Sequence, residues 1–332
     1  MTTTILFGGT NRERLVSVAS AQAVARALPD AALWFWTPTG EVQVADRDAV
    51  LAHQRPFEVD FVASGAVIGP IEAALDRAAV EGRVLLLALH GGAAENGDLA
   101  ALCEARGVAF TGSGAAASRL AFDKAAAKRA AGAAGVPVTG EVALADAAAG
   151  LATYGKLVAK PVADGSSYGL MFIDDAAGLA ALAEAARRET YLIEPFVAGR
   201  EGTCGVLDAG GEAFALPPVE IVPDAGAFDY ASKYLSAATR EICPATFPAE
   251  VNAAIQAAAL KAHKAVGAAG YSRSDFIVGP DGIVFLEINT LPGLTAASLY
   301  PKSLAAQGIA FVDFLNGQIA LAKARAQSNR AS

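Results

Sequence analysis

Arg273, Asp275, Glu287 and Asn289 fall on alternate positions of two short stretches, 272–278 and 283–289, joined by Gly279-Pro280-Asp281-Gly282. That pattern predicts a β-hairpin. Side chains alternate faces along a strand, so the four polar residues share one face. Phe276, Val278, Val284, Leu286 and Ile288 take the other. With the turn centred near Asp281, Asp275 lies opposite Glu287 and Arg273 opposite Asn289. Two carboxylates facing each other on a half-buried sheet repel. A hard divalent cation relieves the repulsion, and Mg²⁺ needs few protein oxygens when phosphate and water complete its shell. The competing reading is a solvated face carrying one Arg–Asp pair.

Other segments carry weaker signals. Lys160 ends an apolar strand just ahead of Gly165-Ser166-Ser167-Tyr168-Gly169. A lysine there is costly unless it meets an anion, and a Gly/Ser loop offers N–H and hydroxyl donors to phosphate. Taken alone, such a loop is a hairpin turn, and Lys124 near a helix start is a solvated residue. Glu194 precedes the strand breaker Pro195, and Glu201 follows Gly199-Arg200. They suit either a purine hinge with a ribose contact or an ordinary strand exit with surface acids. The run 229–234, with Lys233 and Tyr234, is a lid or a surface loop. His90 at a strand end contacts a ligand or satisfies the next turn. Pro292-Gly293 forms a tight turn whose amide can meet an oxyanion, and the helix start near Ser298 can hold a carboxylate or simply cap itself.

Positioning these groups falls to three regions. In residues 1–118, strands at 4–7, 33–35, 61–63, 83–90 and 108–110 alternate with helices at 16–28, 70–79 and 98–106. This predicts a doubly wound α/β unit with function at the carboxyl ends of its strands, where Gly8-Gly9 and His90-Gly91-Gly92 stand. Residues 119–198 read as a helix over 119–134, strands at 157–160, 170–173 and 190–194, and a helix over 176–188. Residues 199–332 hold an antiparallel sheet, a helix over 249–266, the hairpin, and a polar tail beyond Ala324 expected to fray.

The chain has 332 residues, 54% hydrophobic and 18% charged, with net charge −8. Burial is ample for more than one domain. The negative balance disfavours nucleic acid or an anionic membrane as partner. Cys103, Cys204 and Cys243 form neither a zinc pattern nor a disulfide framework, and no apolar run is long enough to span a bilayer. A cytoplasmic globular protein is the expectation.

In order along the chain, the segments Gly8-Gly9-Thr10-Asn11-Arg12-Glu13-Arg14, Leu89-His90-Gly91, Asp123-Lys124, Lys160-Pro161, 165–169, Gly199-Arg200-Glu201, 229–234, Arg273-Ser274-Asp275-Phe276, Glu287-Ile288-Asn289-Thr290 and Pro292-Gly293-Leu294-Thr295 resemble the D-alanine–D-alanine ligase family of ATP-grasp enzymes. The likeness runs nearly end to end. It implies an ATP-grasp fold behind a Rossmann-like N-terminal domain, α/β in class (α+β taken whole), with ATP, two Mg²⁺ or Mn²⁺ ions, D-alanine as substrate and a homodimer formed through the N-terminal domain. By match to the family's motifs, Lys124 and Lys160 would hold ATP phosphates, Lys233 would lie near the γ-phosphate, and Glu194 and Glu201 would meet adenine and ribose. Asp275, Glu287 and Asn289 would bind the metals. Glu13 would receive the first substrate's ammonium in a network with Ser166 and Tyr234, and His90 would lie beside the substrates. Ser298 and the Leu299 backbone would hold the second carboxylate, and Arg273 and the Gly293 amide would steady the oxyanion. Departures are Leu15 for a second Glu, Ala94-Glu95-Asn96-Gly97 for Gly-Glu-Asp-Gly, and Pro195 for a frequent Lys. Tyr234 favours a dipeptide product over a depsipeptide, since relatives that use D-lactate often replace it.

Overall fold

The apolar runs at 4–7 and 84–88 become neighbouring central strands of one sheet in the computed structural model, which describes residues 2–163, 168–222 and 239–331. That sheet has the order β4-β3-β2-β1-β5-β6, from β1 (Thr3–Gly8), β2 (Ala32–Trp36), β3 (Glu41–Val44), β4 (Val67–Pro70), β5 (Val84–Ala88) and β6 (Ala109–Phe110). β1, β2, β5 and β6 run parallel, and β3 and β4 form an antiparallel edge. Ile5, Leu6, Leu85 and Leu86 are buried, as continuous apolar runs in parallel strands must be. Helices α1 (Arg14–Ala27), α2 (Arg47–Ala52), α3 (Ile71–Val80), α4 (Gly92–Glu95) and α5 (Asp98–Ala105) complete this region. The triplet 61–63 is not a strand. Phe61 is buried against Phe7 and Phe35 while Val62 is 81% exposed, so one aromatic anchors a loop.

The helix expected over 119–134 is two helices, α6 (Ala115–Phe122) and α7 (Lys124–Ala133). Asp123 breaks it by turning its carboxylate back onto the Ala126 amide at 2.8 Å, an N-cap that leaves Lys124 as the first residue of α7. A three-stranded antiparallel sheet follows, in the order β8-β7-β9, from β7 (Leu157–Pro161), β8 (Met171–Ile173) and β9 (Tyr191–Pro195). Helices α8 (Ala147–Tyr154) and α9 (Ala176–Ala185) go with it, and Leu157, Ala159, Ile173, Leu182 and Ile193 form its core.

The third sheet runs β13-β12-β10-β14-β15, with β10 (Arg200–Ala209), β11 (Glu212–Ala215) paired to β10, β12 (Val219–Val222), β13 (Arg240–Ile242), β14 (Tyr271–Gly279) and β15 (Gly282–Asn289). Helix α10 (Ala249–Ala265) and the alanine face of α7 share its core with Phe276 and Phe285. Both rings are fully buried, each contributing about 2–3 kcal/mol. α11 (Leu299–Ala306) and α12 (Phe311–Ala331) close the chain. The tail beyond Ala324 stays helical: Arg325 donates to the Phe110 carbonyl at 2.9 Å, which ties α12 to β6. No single helix among the described residues is long and apolar enough to cross a membrane.

The β14–β15 hairpin has the expected register, Asp275 opposite Glu287 and Arg273 opposite Asn289. Beyond that point the pairing slips, because Phe276 faces Phe285 and leaves Leu286 as an extra residue. The bulge reverses part of the expected facing. Phe285 and Ile283 go to the core, whereas Val284 and Leu286 join Ile277 in lining a cleft.

Candidate active site

Two cavities meet at the polar end of the hairpin. The larger, about 910 Å³, lies between the second and third sheets. Lys160, Glu194 and Phe196 line one side, and Glu201, Ile277, Val284 and Leu286 the other. The smaller is lined by Glu13, His90, Glu95, Arg273, Gly293, Ser298 and Leu299. Lys124, Glu201, Asp275 and Glu287 border both. Residues nearly 290 positions apart are thus gathered by three sheets. Glu13 and Glu95 follow the carboxyl ends of the adjacent strands β1 and β5, where a doubly wound sheet opens its crevice. Ser166, Lys233 and Tyr234 lie outside the described residues.

Arg273 grips Asp275 with two bonds, Nε to Oδ1 at 2.9 Å and Nη2 to Oδ2 at 2.8 Å. The Thr203 hydroxyl donates to Asp275 Oδ1 at 2.5 Å. The Arg–Asp pair of the competing reading therefore exists, yet it is not solvated: the two side chains are 16% and 8% exposed. Lys124 Nζ stands 3.6 Å from Glu287. Asn289 Oδ1 accepts from the Leu291 amide at 2.7 Å and so starts the Pro292-Gly293 turn. A methyl group on Gly293 would come within 2.7 Å of Ser298 Oγ, so turn and helix start are in contact.

His90 is buried, and both ring nitrogens have protein partners. Nδ1 lies 2.9 Å from the Leu291 carbonyl, which only accepts, so Nδ1 carries the hydrogen. Nε2 then accepts from Ser20 Oγ at 2.9 Å, and Ser20 accepts from the Leu294 amide at 3.3 Å. Burial holds the ring neutral, with its pKa lowered to about 4. His90 thus straps the 291–294 turn to α1, besides bordering the smaller cavity. Glu95 is pushed the other way, well above the usual carboxylate range, first by burial and then by the charge of Glu13. The smaller cavity therefore has two acids at one edge, and burial together with the neighbouring charge favours the protonated form of Glu95.

Sequence reasoning passed over Ser20, Thr139, Thr203 and Lys128, and named Glu95 only as part of a variant motif. Lys128 had a readable signal. It stands one turn after Lys124 on an alanine-rich helix, hence on the same face. The hydroxyl residues had none, since their partners are distant in sequence.

Asp275, Glu287 and Asn289 supply two carboxylates and an amide oxygen, a hard-donor set suited to Mg²⁺ or Mn²⁺. Among the described residues no three His, Cys, Asp or Glu side chains form a cage for a metal. Two carboxylates and one amide oxygen fall short of a six-oxygen shell, so for such an ion phosphate and water would supply the rest.

Two family models match the chain, "D-ala D-ala ligase N-terminus" over residues 2–113 and "D-ala D-ala ligase C-terminus" over residues 147–320. The chain belongs to the D-alanine–D-alanine ligase family. A relative named D-alanine–D-alanine ligase from Syntrophotalea carbinolica is 34% identical over 326 residues, covering 97% of this chain and 96% of that one. Among solved structures, the VanG D-Ala:D-Ser ligase from Enterococcus faecalis superposes with TM-score 0.79 at 28% identity, covering 97% of this chain and 99% of that one. The D-alanine–D-alanine ligase from Bacillus anthracis complexed with ATP gives 0.72 at 26% identity, covering 99% and 98%. The fold is the ATP-grasp fold expected from the motifs. Within this family frame, the cleft between the second and third sheets and the acid-lined pocket beside it share the hairpin's carboxylates.

Proposed function

We propose that this chain joins two D-alanines into D-alanyl-D-alanine at the expense of ATP, in the cytoplasm, as a step of peptidoglycan precursor synthesis. The observation that carries the reading is the meeting of the two cavities at Asp275 and Glu287. A triphosphate in the larger one and a small zwitterion in the smaller come together at one acidic, lysine-flanked point. In this reading residues 1–118, 119–198 and 199–332 are three domains, with nucleotide between the second and third, and the enzyme is a homodimer through the first.

A carboxylate is a poor electrophile. One oxygen of the first D-alanine attacks the γ-phosphorus of ATP, the bond to the β,γ-bridging oxygen breaks, and an acyl phosphate and ADP result. Lys124 and Lys160 offset the crowded phosphate charge, by family match Lys233 would add to them at the γ-phosphate, and Glu194 and Glu201 hold adenine and ribose. Asp275, Glu287 and Asn289 would hold two Mg²⁺ or Mn²⁺ ions, which neutralise phosphate charge when bound. Glu13 fixes the first ammonium with Ser166 and Tyr234. Ser298 and the Leu299 amide take the second carboxylate. The second amine then attacks the acyl carbon, Arg273 and the Gly293 amide stabilise the oxyanion at about 3 kcal/mol per good donor, and inorganic phosphate leaves with its bonding pair.

The likeness to a D-Ala:D-Ser ligase motivates a second reading, in which D-serine or D-lactate is the acceptor. Phosphate release separates the two. Release with MgATP and D-alanine alone, with the dipeptide seen by mass, supports the first. Release that requires added D-serine or D-lactate overturns it in favour of the second.

A further inference from the structure

We propose that Lys128 is a positioning residue for nucleotide phosphate, a buried second cation that neutralises Glu194 so that Lys160 presents uncompensated positive charge to the cleft. The inference rests on the nucleotide reading above.

Glu194 sits on β9 with its side chain 4% exposed. Its Oε1 receives Lys128 Nζ at 2.5 Å and the Thr139 hydroxyl. Its Oε2 receives Lys160 Nζ at 2.8 Å. Thr139 in turn accepts from Lys128 at 2.9 Å, so its hydroxyl orients the pair. Burial alone would oppose ionisation of Glu194, but the charge of Lys160 and the bonds from Lys128, Lys160 and Thr139 outweigh it and keep its pKa below the ordinary value.

The charge count is two ammoniums to one carboxylate. Lys160 with Glu194 alone would be a pair with no net charge to draw an anion. Lys128 is 2% exposed and does not line the cleft, whereas Lys160, at 13%, does. Desolvating a second ammonium is costly, and packing gives no reason for it on a helix whose neighbours Ala127 and Ala131 fill the core without charge. The excess unit of charge is expressed where the cluster opens, at Lys160. An ammonium has three donors and Glu194 engages one of them, so phosphate oxygens can approach without breaking the pair. Lys124 and Lys128 stand one turn apart on α7, so one helix supplies both a cation bordering the two cavities and the hidden counter-charge that sets the strength of the other.

Calorimetric titration of wild type, Lys128→Met, Glu194→Gln and the double variant with ADP and with adenosine tests this. Wild type binds ADP. Lys128→Met weakens ADP about tenfold and leaves adenosine within about twofold. In the Glu194→Gln background, where no carboxylate needs neutralising, the same change alters ADP affinity less than about twofold. Equal losses for ADP and adenosine, no loss for ADP, or a tenfold loss in the Glu194→Gln background would each overturn the proposal. Should Lys128→Met fail to fold, the comparison in the Glu194→Gln background decides. A wild type that binds no ADP removes the nucleotide reading itself, which is a separate outcome.

Discussion

Arg273 spends two nitrogens on Asp275 and still borders the smaller cavity, so in the proposed mechanism one charge would serve both Asp275 and the oxyanion. Arg273→Lys keeps the charge but loses the planar fork. We expect kcat to fall about 10²-fold with KM for ATP nearly unchanged, as steady-state phosphate release would show. Asp275→Asn with Glu287→Gln preserves shape and removes both negative charges. Turnover should vanish, and the thermal midpoint should fall by several degrees because the Arg273 guanidinium loses its carboxylate. Retained turnover would mean that the two acids serve packing alone. Ser20→Ala cuts the Leu294–Ser20–His90 relay without touching the cavities. Because the relay aims the Gly293 turn, the variant should lose kcat by about tenfold and leave nucleotide binding intact. At this scale the hairpin tetrad was legible, because period-two alternation is a property of the backbone. The partners of His90 were not, because Ser20 and Leu291 lie 70 and 201 positions away from it.

Among the elements, the hairpin bulge and the split at Asp123 do the aiming. The bulge admits Val284 and Leu286 to the cleft beside Glu287, so one strand supplies an apolar wall and a carboxylate. The cap at Asp123 turns Lys124 toward Glu287. The loop after β5 is as constrained. Gly91 has φ +65°, and a methyl group there would meet Glu13 Oε2 at 1.9 Å. Gly91→Ala should therefore displace the Glu13 carboxylate, proposed above to receive the substrate ammonium. We expect kcat/KM for D-alanine to fall at least tenfold, together with a lower melting temperature, while ADP affinity in calorimetry is retained. An unchanged kcat/KM would show that Glu13 is not held by this turn. Alternation and capping residues predicted the hairpin and the start of α7, but a bulge is a compromise between register and core filling. It brings Phe276 and Phe285 edge to face in the core, which period alone does not foretell.

For the molecule as a whole, buried histidines set the acid limit. His90 and His263 are both lowered from 6.5 to about 4, in each case first by burial. The unfolded chain takes up these protons below pH 6.5 and the folded chain does not. Their contribution is therefore complete above 6.5 and is lost as pH falls toward 4, up to about 3 kcal/mol for each. Glu95 acts in the opposite sense, since its raised pKa makes its contribution fade as pH rises through it. Urea midpoints measured from pH 7 to pH 4 should fall, and His263→Gln should flatten the slope by up to one proton; an unchanged slope would mean that His263 is protonated in the fold. Family, fold class and the acidic hairpin were readable along the chain, because motif order, apolar periodicity and turn residues are local or ordered along one dimension. Which charges face one another was settled by packing. Glu194 became the shared anion of Lys128 and Lys160, and His90 a strap across the 291–294 turn, because burial removes water and makes each charged or polar group depend on whichever distant partner the packing brings.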